Sequence, residues 1–316
     1  MRKTEFDIMR GLLIIAVVMG HAGVKLPYVD MQWFRMPAFF IVSGYFTKGL
    51  YAEKDLLAYK AKRLVVPWLS YSVLMYCLLQ PEPLLKNIAR TIYAGSFNTT
   101  IYSFPWWFVN ALMVSLIGFS LLRKVNGGGQ WTMLLFYILI HIEPLWDARP
   151  IPLPWSIDNA FGAMVFIYIG YRMRGYSLRR RDLWIALVPV AFVIANEYFG
   201  WHYHINMKGM TYTNILLDLI VPCSFTFLVY VVSLLLSKVK VIGPMLAHIG
   251  ICCMTIFYVH AAVLHFVKPY SPVGAVIFSV FVGVAIDALW RTNPTTRRLF
   301  IGEMRKKTGS VPVPAQ

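Results

Sequence analysis

The feature that most constrains the fold of this chain is a succession of long apolar segments separated by short polar or charged loops. About ten such segments, each of roughly 16 to 23 residues, are bounded by glycine, proline or charge. Apolar runs of this length without alternation predict membrane-spanning helices, because lipid offers no hydrogen-bond partners to an open backbone. The mean hydropathy of +0.60 agrees. The segments cover about 8–24, 33–50, 64–80, 104–124, 131–146, 157–173, 183–199, 214–236, 245–267 and 271–290.

The distribution of lysine and arginine predicts the orientation. With an even number of spans, most of these cations fall in segments on the side of the two termini, and cytoplasmic loops are the ones enriched in Lys and Arg. The sequence therefore predicts an all-α polytopic membrane protein with both termini in the cytoplasm. The loops on the opposite, outer side hold only Lys25, Lys86, Arg90, Arg149, Lys208 and Lys268.

A single transmembrane domain over residues 1–300 and a short, basic, disordered cytoplasmic tail over 301–316 are predicted, since no repeat or linker interrupts the chain. The net charge of +16 does not indicate a nucleic-acid partner, because the cations lie in short loops where membrane lipids account for them. The four cysteines lie inside predicted spans without metal or disulfide spacing, so no metal is expected.

Two ionisable residues stand out in the first apolar segment. Arg10 and His21 are eleven positions apart, which puts them on nearly the same helix face, about 16 Å from each other. His21 is the best candidate for a general base, since imidazole titrates near neutral pH. Its alternative is a helix-to-helix hydrogen bond. Asp7, one turn before Arg10, is placed to pair with its guanidinium.

Other polar residues sort by predicted depth. Arg63 lies at the cytoplasmic mouth of the third segment, where it could hold a cofactor phosphate or a lipid phosphate. Arg35 either extends to the outer headgroups or binds an anionic substrate group or a developing oxyanion. Trp107 belongs either to an interfacial aromatic belt or to a sugar-stacking surface.

The outer halves of the spans are predicted to form a chamber of mixed acids, bases and amides. Glu143, Asp158 and His260 are the candidates there for binding substrate, although a packed structural role is an equal interpretation of His260. Three further residues belong to the same predicted chamber: Asn196, Glu197 and Asp218.

Several stretches together resemble acyltransferase family 3, the multi-pass bacterial membrane O-acyltransferases, in its fucose-acetylase-like branch. These stretches are FDIMRGLLIIAVVMGHA with its Arg10 and His21, then MPAFFIVSGYF, KRLVVPW and PWWFVNALM, and more diffusely IDNAFGAMVFIYIGYRM and IGICCMTIFYVHA. The resemblance covers nearly the whole chain. One departure is Arg35, which stands where that branch commonly has a histidine before Met-Pro.

The resemblance implies a location in the bacterial inner membrane and acetyl-CoA as a cytoplasmic acyl donor, with Arg10, Arg63 and Asp7 around its phosphates. His21 would then act as the base for a hydroxyl of a cell-envelope or capsular saccharide, or of its lipid-linked precursor. Direct transfer and an acyl-histidine intermediate are both open. The rival hypotheses are a proton-coupled secondary transporter, since buried Arg, His and Asp also build such pathways, and a non-catalytic membrane protein that binds lipid or glycan.

Overall fold

A computed structural model describes residues 3–47, 54–79, 83–94, 100–122, 129–142, 152–176 and 178–303. In this part of the chain the secondary structure is almost entirely helical, with one two-stranded hairpin. The N-terminal half contains six helices in the described ranges: α1 Thr4–Ala22, α2 Arg35–Tyr45, α3 Lys54–Leu79, α4 Leu84–Tyr93, α5 Trp107–Leu122 and α6 Gln130–Ile140. A 3₁₀ turn, Met31–Trp33, leads into α2.

The C-terminal half of the described chain continues the helical pattern. The elements are α7 Ile157–Arg172, α8 Val188–Phe199, β1 Ile205–Asn206, β2 Thr211–Tyr212, α9 Leu217–Leu236, α10 Ile242–Ile251, α11 Cys253–Val267 and α12 Pro272–Thr292. A 3₁₀ segment, Arg180–Leu187, precedes α8. A one-turn helix, Pro294–Thr296, and a π-helical turn, Arg297–Ile301, follow α12.

Each predicted apolar segment overlaps one or more of these helices, so the all-α prediction is confirmed. Within the described ranges, three helical stretches are long and apolar enough to cross a membrane, Arg180–Phe199, Leu217–Leu236 and Pro272–Thr292, and the α10–α11 pair would make a fourth. Large apolar side chains stay exposed on the outer faces of the bundle, as in Ile194 and Ile277. Such surface is suited to lipid contact. The number of spans and the orientation of the termini stay predictions.

The structure differs from the predicted segments in two places. The span predicted over 245–267 is a broken one, because the chain bends by 78° between α10 and α11. Helix α4 lies where no apolar segment was predicted, because its exposed Leu85 and Ile92 alternate with polar residues. Of the predicted tail, residues 304–316 lie outside the described part, while the carbonyl of Gly302 accepts a hydrogen bond from Arg63 Nε at 3.1 Å.

Helix α1 lies at the centre of the bundle and contacts α2, α9, α10, α11 and α12. Its most extensive packing is with α10, and glycines make that approach possible. A methyl group at Gly11 would collide with the carbonyl oxygen of Leu246, and one at Gly250 would collide with the carbonyl oxygen of Asp7. Small residues at helix crossings are the usual means of close packing in membranes, where van der Waals contact drives association.

The α2–α7 contact is built in the same way. A methyl group at Gly44 would meet the carbonyl of Ile167, and one at Gly170 would meet the carbonyl of Ile41. Each helix therefore presents a glycine to the backbone of the other. Because α1 and α2 are both held against neighbouring backbones, the backbone positions from which their inward-facing side chains extend are fixed.

The β hairpin lies beside the C-terminal end of α1 and is held by side chains from the helices. The amide nitrogen Nδ2 of Asn159 donates to the carbonyls of Met207 (2.6 Å) and Lys208 (3.0 Å). The indole nitrogen of Trp33 donates to the carbonyl of Tyr203 at 3.0 Å, and the Tyr203 hydroxyl donates to Asp218 at 2.7 Å. The hairpin, with β1 paired antiparallel to β2, is thereby fixed over the helix ends.

Candidate active site

His21 lies in the last turn of α1, just before the helix stops at Gly23. Gly23 adopts a left-handed φ of 83°, and its N–H and that of Val24 bond to the carbonyls of Gly20 and Met19. This is a Schellman-type end, which glycine favours because it has no Cβ. Lys268 Nζ donates to the carbonyl of His21 at 3.0 Å. We refer to this as the His21 end of α1 and to the opposite end as the Arg10 end.

His260, on α11, lies directly behind His21. The Nδ1 atom of His21 and the Nε2 atom of His260 are 2.9 Å apart. The two ring planes are nearly parallel, at 6°, and their centroids are 5.1 Å apart. These values describe two imidazoles meeting edge to edge, with a hydrogen bond in the shared plane. His260 is fully buried.

The contacts of His260 decide where the protons lie. Its Nδ1 is 2.8 Å from the carbonyl of Phe257 and 3.1 Å from that of Ile256. Carbonyl oxygens only accept, so this Nδ1 carries a proton, and the Nε2 of neutral His260 is then an acceptor. His21 Nδ1 must donate to it. A neutral His21 therefore has its lone pair on Nε2, which makes no hydrogen bond with any described residue.

Arg35, the first residue of α2, packs against α1 next to His21. Its side chain is buried, with 8% exposed, so the interpretation that it extends to the headgroups is wrong. The guanidinium lies where Gly20 has no side chain, and a methyl group there would collide with its Nη1. Nη1 makes only long contacts to the carbonyls of Ala16 (3.4 Å) and Val17 (3.5 Å), while Nε is buried without a partner in the described chain.

A cavity of about 240 Å³ opens in front of His21 and Arg35. Trp107 lines it and is buried together with Trp106, so the aromatic-belt interpretation of this pair is wrong. The hairpin adds Lys208, whose Nζ donates to the carbonyl of Phe104 at 3.3 Å. Burial lowers the pKa of Lys208. A second cavity, of about 500 Å³, lies on the other side of His21 and is lined by Lys268 and His265.

At the Arg10 end of α1, Arg10 forms the ion pair that the sequence predicted. Its Nη1 lies 3.2 Å from Asp7 Oδ1, and its guanidinium lies 5.0 Å from the ring centroid of Phe46. Asp7 is buried, whereas 30% of the Arg10 side chain is exposed. Arg63 lies on α3, where its Nε donates to the carbonyl of Gly302.

The described acidic residues of the predicted mixed chamber do not line the cavity in front of His21. Asp158 is fully buried and accepts hydrogen bonds from the backbone N–H groups of Leu153 (3.1 Å) and Asn159 (2.9 Å). Asp218 is equally buried and accepts from Tyr203 and from His141 Nε2, at 3.1 Å. Buried carboxylates are stable only when such donors surround them. Glu143 lies outside the described residues.

Two more members of the predicted chamber have other positions. Asn196 Oδ1 accepts from the backbone of Tyr203 at 3.1 Å and so holds the hairpin. Glu197 lines a separate cavity of about 450 Å³, together with Asp30 and with the far side of Arg35. The surroundings of His21 are therefore cationic, and Lys208 and Lys268 are the contributors that the sequence did not single out.

The sequence was also compared with known proteins. A family model described as an acyltransferase domain matches residues 3–289. The chain belongs to this acyltransferase family. The resemblance to acyltransferase family 3 drawn from the first helix and the later motifs is confirmed.

Two curated relatives of this chain are both called nodulation protein NolL. The one from Mesorhizobium japonicum is 24% identical over 219 residues, which cover 63% of this chain and 57% of the relative. The one from Sinorhizobium fredii is 24% identical over 165 residues, 46% of this chain and 43% of the relative. The chain thus matches about half the length of these relatives. No solved structure matches the chain.

Proposed function

We propose that this acyltransferase transfers an acetyl group from acetyl-CoA to a hydroxyl of a cell-envelope or capsular saccharide, or of its lipid-linked precursor, with His21 Nε2 as the general base. The observation that carries this proposal is the pair of hydrogen-bonded imidazoles. His260 holds the proton of His21 on Nδ1, so the basic lone pair lies on the nitrogen that has no partner among the described residues.

The reaction needs one proton acceptor and one site for a developing negative charge. The acceptor hydroxyl donates its proton to His21 Nε2 as its oxygen attacks the thioester carbonyl carbon. When the tetrahedral intermediate collapses, the new C–O bond stays, the C–S bond breaks and the CoA sulfur takes up the proton from Nε2. During transfer His21 is an imidazolium whose Nδ1–H still donates to His260, so the ring keeps its orientation.

The donor side of the proposal depends on the charge pattern. The distribution of Lys and Arg predicts that the Arg10 end of α1 lies in the cytoplasm, where acetyl-CoA is available. Arg10, oriented by Asp7, and Arg63 are the cations proposed to bind its phosphates. The acceptor then meets His21 at the opposite side of the inner membrane, so the two substrates approach the first helix from its two ends.

His21→Ala tests the function. We expect at least a 100-fold loss of acetyl transfer, because general-base catalysis contributes about that much or more. A host strain lacking the gene is complemented with the wild type, His21→Ala or the control His248→Ala, which alters an exposed histidine of α10. Mass spectrometry of the surface saccharides and thiol release from acetyl-CoA by the purified proteins are the two measurements.

The wild type and His248→Ala should restore acetyl groups and release thiol, while His21→Ala should do neither at normal levels of folded protein. Restored acetylation by His21→Ala would remove this residue from the mechanism. A wild-type protein that consumes no acetyl-CoA in membranes would favour the transporter hypothesis instead.

A further inference from the structure

Arg35 is a buried cation whose charge has no carboxylate partner in the described chain. Its Nε has no hydrogen bond there, and its two backbone contacts, at 3.4 and 3.5 Å, are at the long limit for hydrogen bonding. A buried guanidinium is costly unless an anion or several acceptors surround it. The described chain does not meet this requirement for Arg35, whose guanidinium packs against Gly20, the residue before His21 in α1.

The cavity that Arg35 shares with His21 is cationic. Lys208 reaches it from the hairpin, and no aspartate or glutamate is among its lining residues in the described chain. The remaining polar groups are amides that can orient a sugar. The lining includes Arg35, Lys208, His21, Gln32, Asn206 and Trp107.

The carboxylates of Asp30 and Glu197 line the adjoining cavity, on the far side of Arg35. Asp30, in the adjoining cavity, accepts from the backbone of Gln32 at 2.8 Å and lies 3.6 Å from His204 Nδ1. It forms no ion pair with Arg35 in the described chain, although its charge acts on the Arg35 guanidinium from that side. On the side of the His21 cavity, no carboxylate of the described chain balances the charge of Arg35.

We propose that Arg35 and Lys208 form a subsite for an anionic group of the acceptor, a carboxylate or a phosphate close to the hydroxyl that is acylated. This inference rests on the proposed function of His21. The phosphates of the donor are a poor match, because the pantetheine arm separates them from the thioester, which must itself reach His21. A sugar acid would supply a carboxylate, and a saccharide linked to a carrier lipid would supply a phosphate.

The test uses the full chain in lipid nanodiscs and matched pairs of acceptors. The pairs are methyl glucuronoside with methyl glucoside, methyl galacturonoside with methyl galactoside, and glucose 1-phosphate with glucose. Binding is measured as protection of His21 from carbethoxylation by diethyl pyrocarbonate, read by mass spectrometry. Transfer of labelled acetyl from acetyl-CoA is measured with the same compounds.

We expect at least one anionic compound to protect His21 at a concentration about 30-fold lower than its neutral partner needs, as for a buried charge pair. Arg35→Gln and Lys208→Gln should remove this preference, so that the anionic compound binds no more tightly than its neutral partner, and Arg35→Lys should keep part of the preference. The control Lys86→Gln, an exposed lysine of α4, should keep all of it. Whether the uronosides or the sugar phosphate respond distinguishes the two sources of the anion.

The proposal is overturned if no anion of the panel binds more tightly than its neutral partner, or if Arg35→Gln weakens both members of a pair equally. If Arg35→Gln slows acetyl transfer to both members of a pair equally and leaves their binding unchanged, Arg35 acts on the tetrahedral oxyanion instead. Because the binding measurement needs no turnover, an anion preference without acetyl transfer would support the subsite while contradicting the proposed function.

Discussion

Arg10 belongs to the first half of α1 and Arg35 packs against the other end of this helix, but of the two only Arg10 forms an ion pair in the described chain. Arg10 pairs with Asp7 and remains partly exposed, whereas Arg35 is buried against Gly20. The cavities differ as well. A pocket of about 80 Å³ near Phe6 and Met9, at the Arg10 end, is lined mainly by apolar side chains, while the larger cavity at the His21 end is cationic.

This difference indicates how the work is divided along the helix. An ion-paired arginine that is partly exposed to solvent can exchange its carboxylate for a mobile anion at a modest cost in free energy, as binding of a diffusing donor requires. A buried arginine without an ion pair, next to the proposed base, is suited to stabilise charge that arrives with the reaction. Substitutions at the His21 end should therefore change turnover or acceptor choice, and those at the Arg10 end should change donor affinity.

The largest effect is expected from His260→Leu. Without the acceptor Nε2, the proton and orientation of His21 are no longer fixed, so kcat should fall about 100-fold with the KM for acetyl-CoA unchanged. His260→Gln should recover most of this loss, because its amide oxygen can accept from His21 Nδ1. Steady-state kinetics of the purified proteins provide the check. Equal losses in the Leu and Gln variants would mean that His260 serves only packing.

A smaller effect is expected from Gly20→Ala. The added methyl group would occupy the position of Arg35 Nη1, and the flexible side chain would have to move out of the cavity. We expect about a tenfold loss of kcat/KM for the acceptor, with little change in the melting temperature of the protein. Gly118→Ala is a matched control, since its methyl group meets only the end of Met164, at 3.0 Å. Unchanged kinetics in Gly20→Ala would show that the position of Arg35 is unimportant.

The smallest effect is expected at the other end of the helix. Arg10→Ala should weaken binding of a non-hydrolysable acetyl-CoA analogue about fivefold, because one charge-assisted contact in a partly exposed site is lost. The acceptor preference should not change. Isothermal titration in nanodiscs measures the first quantity, and the matched acceptor pairs measure the second. A change in acceptor preference but not in donor affinity would reverse the roles assigned to the two ends.

The sequence was sufficient for the parts of this molecule that depend on local pattern. The apolar segments gave the helices, and the spacing of Asp7, Arg10 and His21 gave one helix with an ion pair near its start and a base candidate near its end. These features follow from helical periodicity and need no knowledge of the tertiary contacts.

The remainder of the site depends on contacts between distant parts of the chain. His260 contacts His21, which is 239 residues away in the sequence. Lys208 is predicted only as a loop residue, and the position of the hairpin over the helix ends brings it to the cavity. Asp158 and Asp218 were predicted in a polar chamber because their types suit one. Their oxygens instead satisfy neighbouring donors, which hydropathy and spacing do not reveal. The bend after Ile251 has no proline to signal it.

The hairpin that carries Lys208 has a consequence for how such enzymes can diversify. It holds two residues per strand and is attached by side chains to a frame whose glycine contacts tolerate no added methyl group. Changes in the hairpin can therefore alter what the cavity selects, while the imidazole pair on the frame stays in place. Exchange of residues 205–212 between relatives is a direct way to engineer new acceptor preferences onto an unchanged acyl-transfer centre.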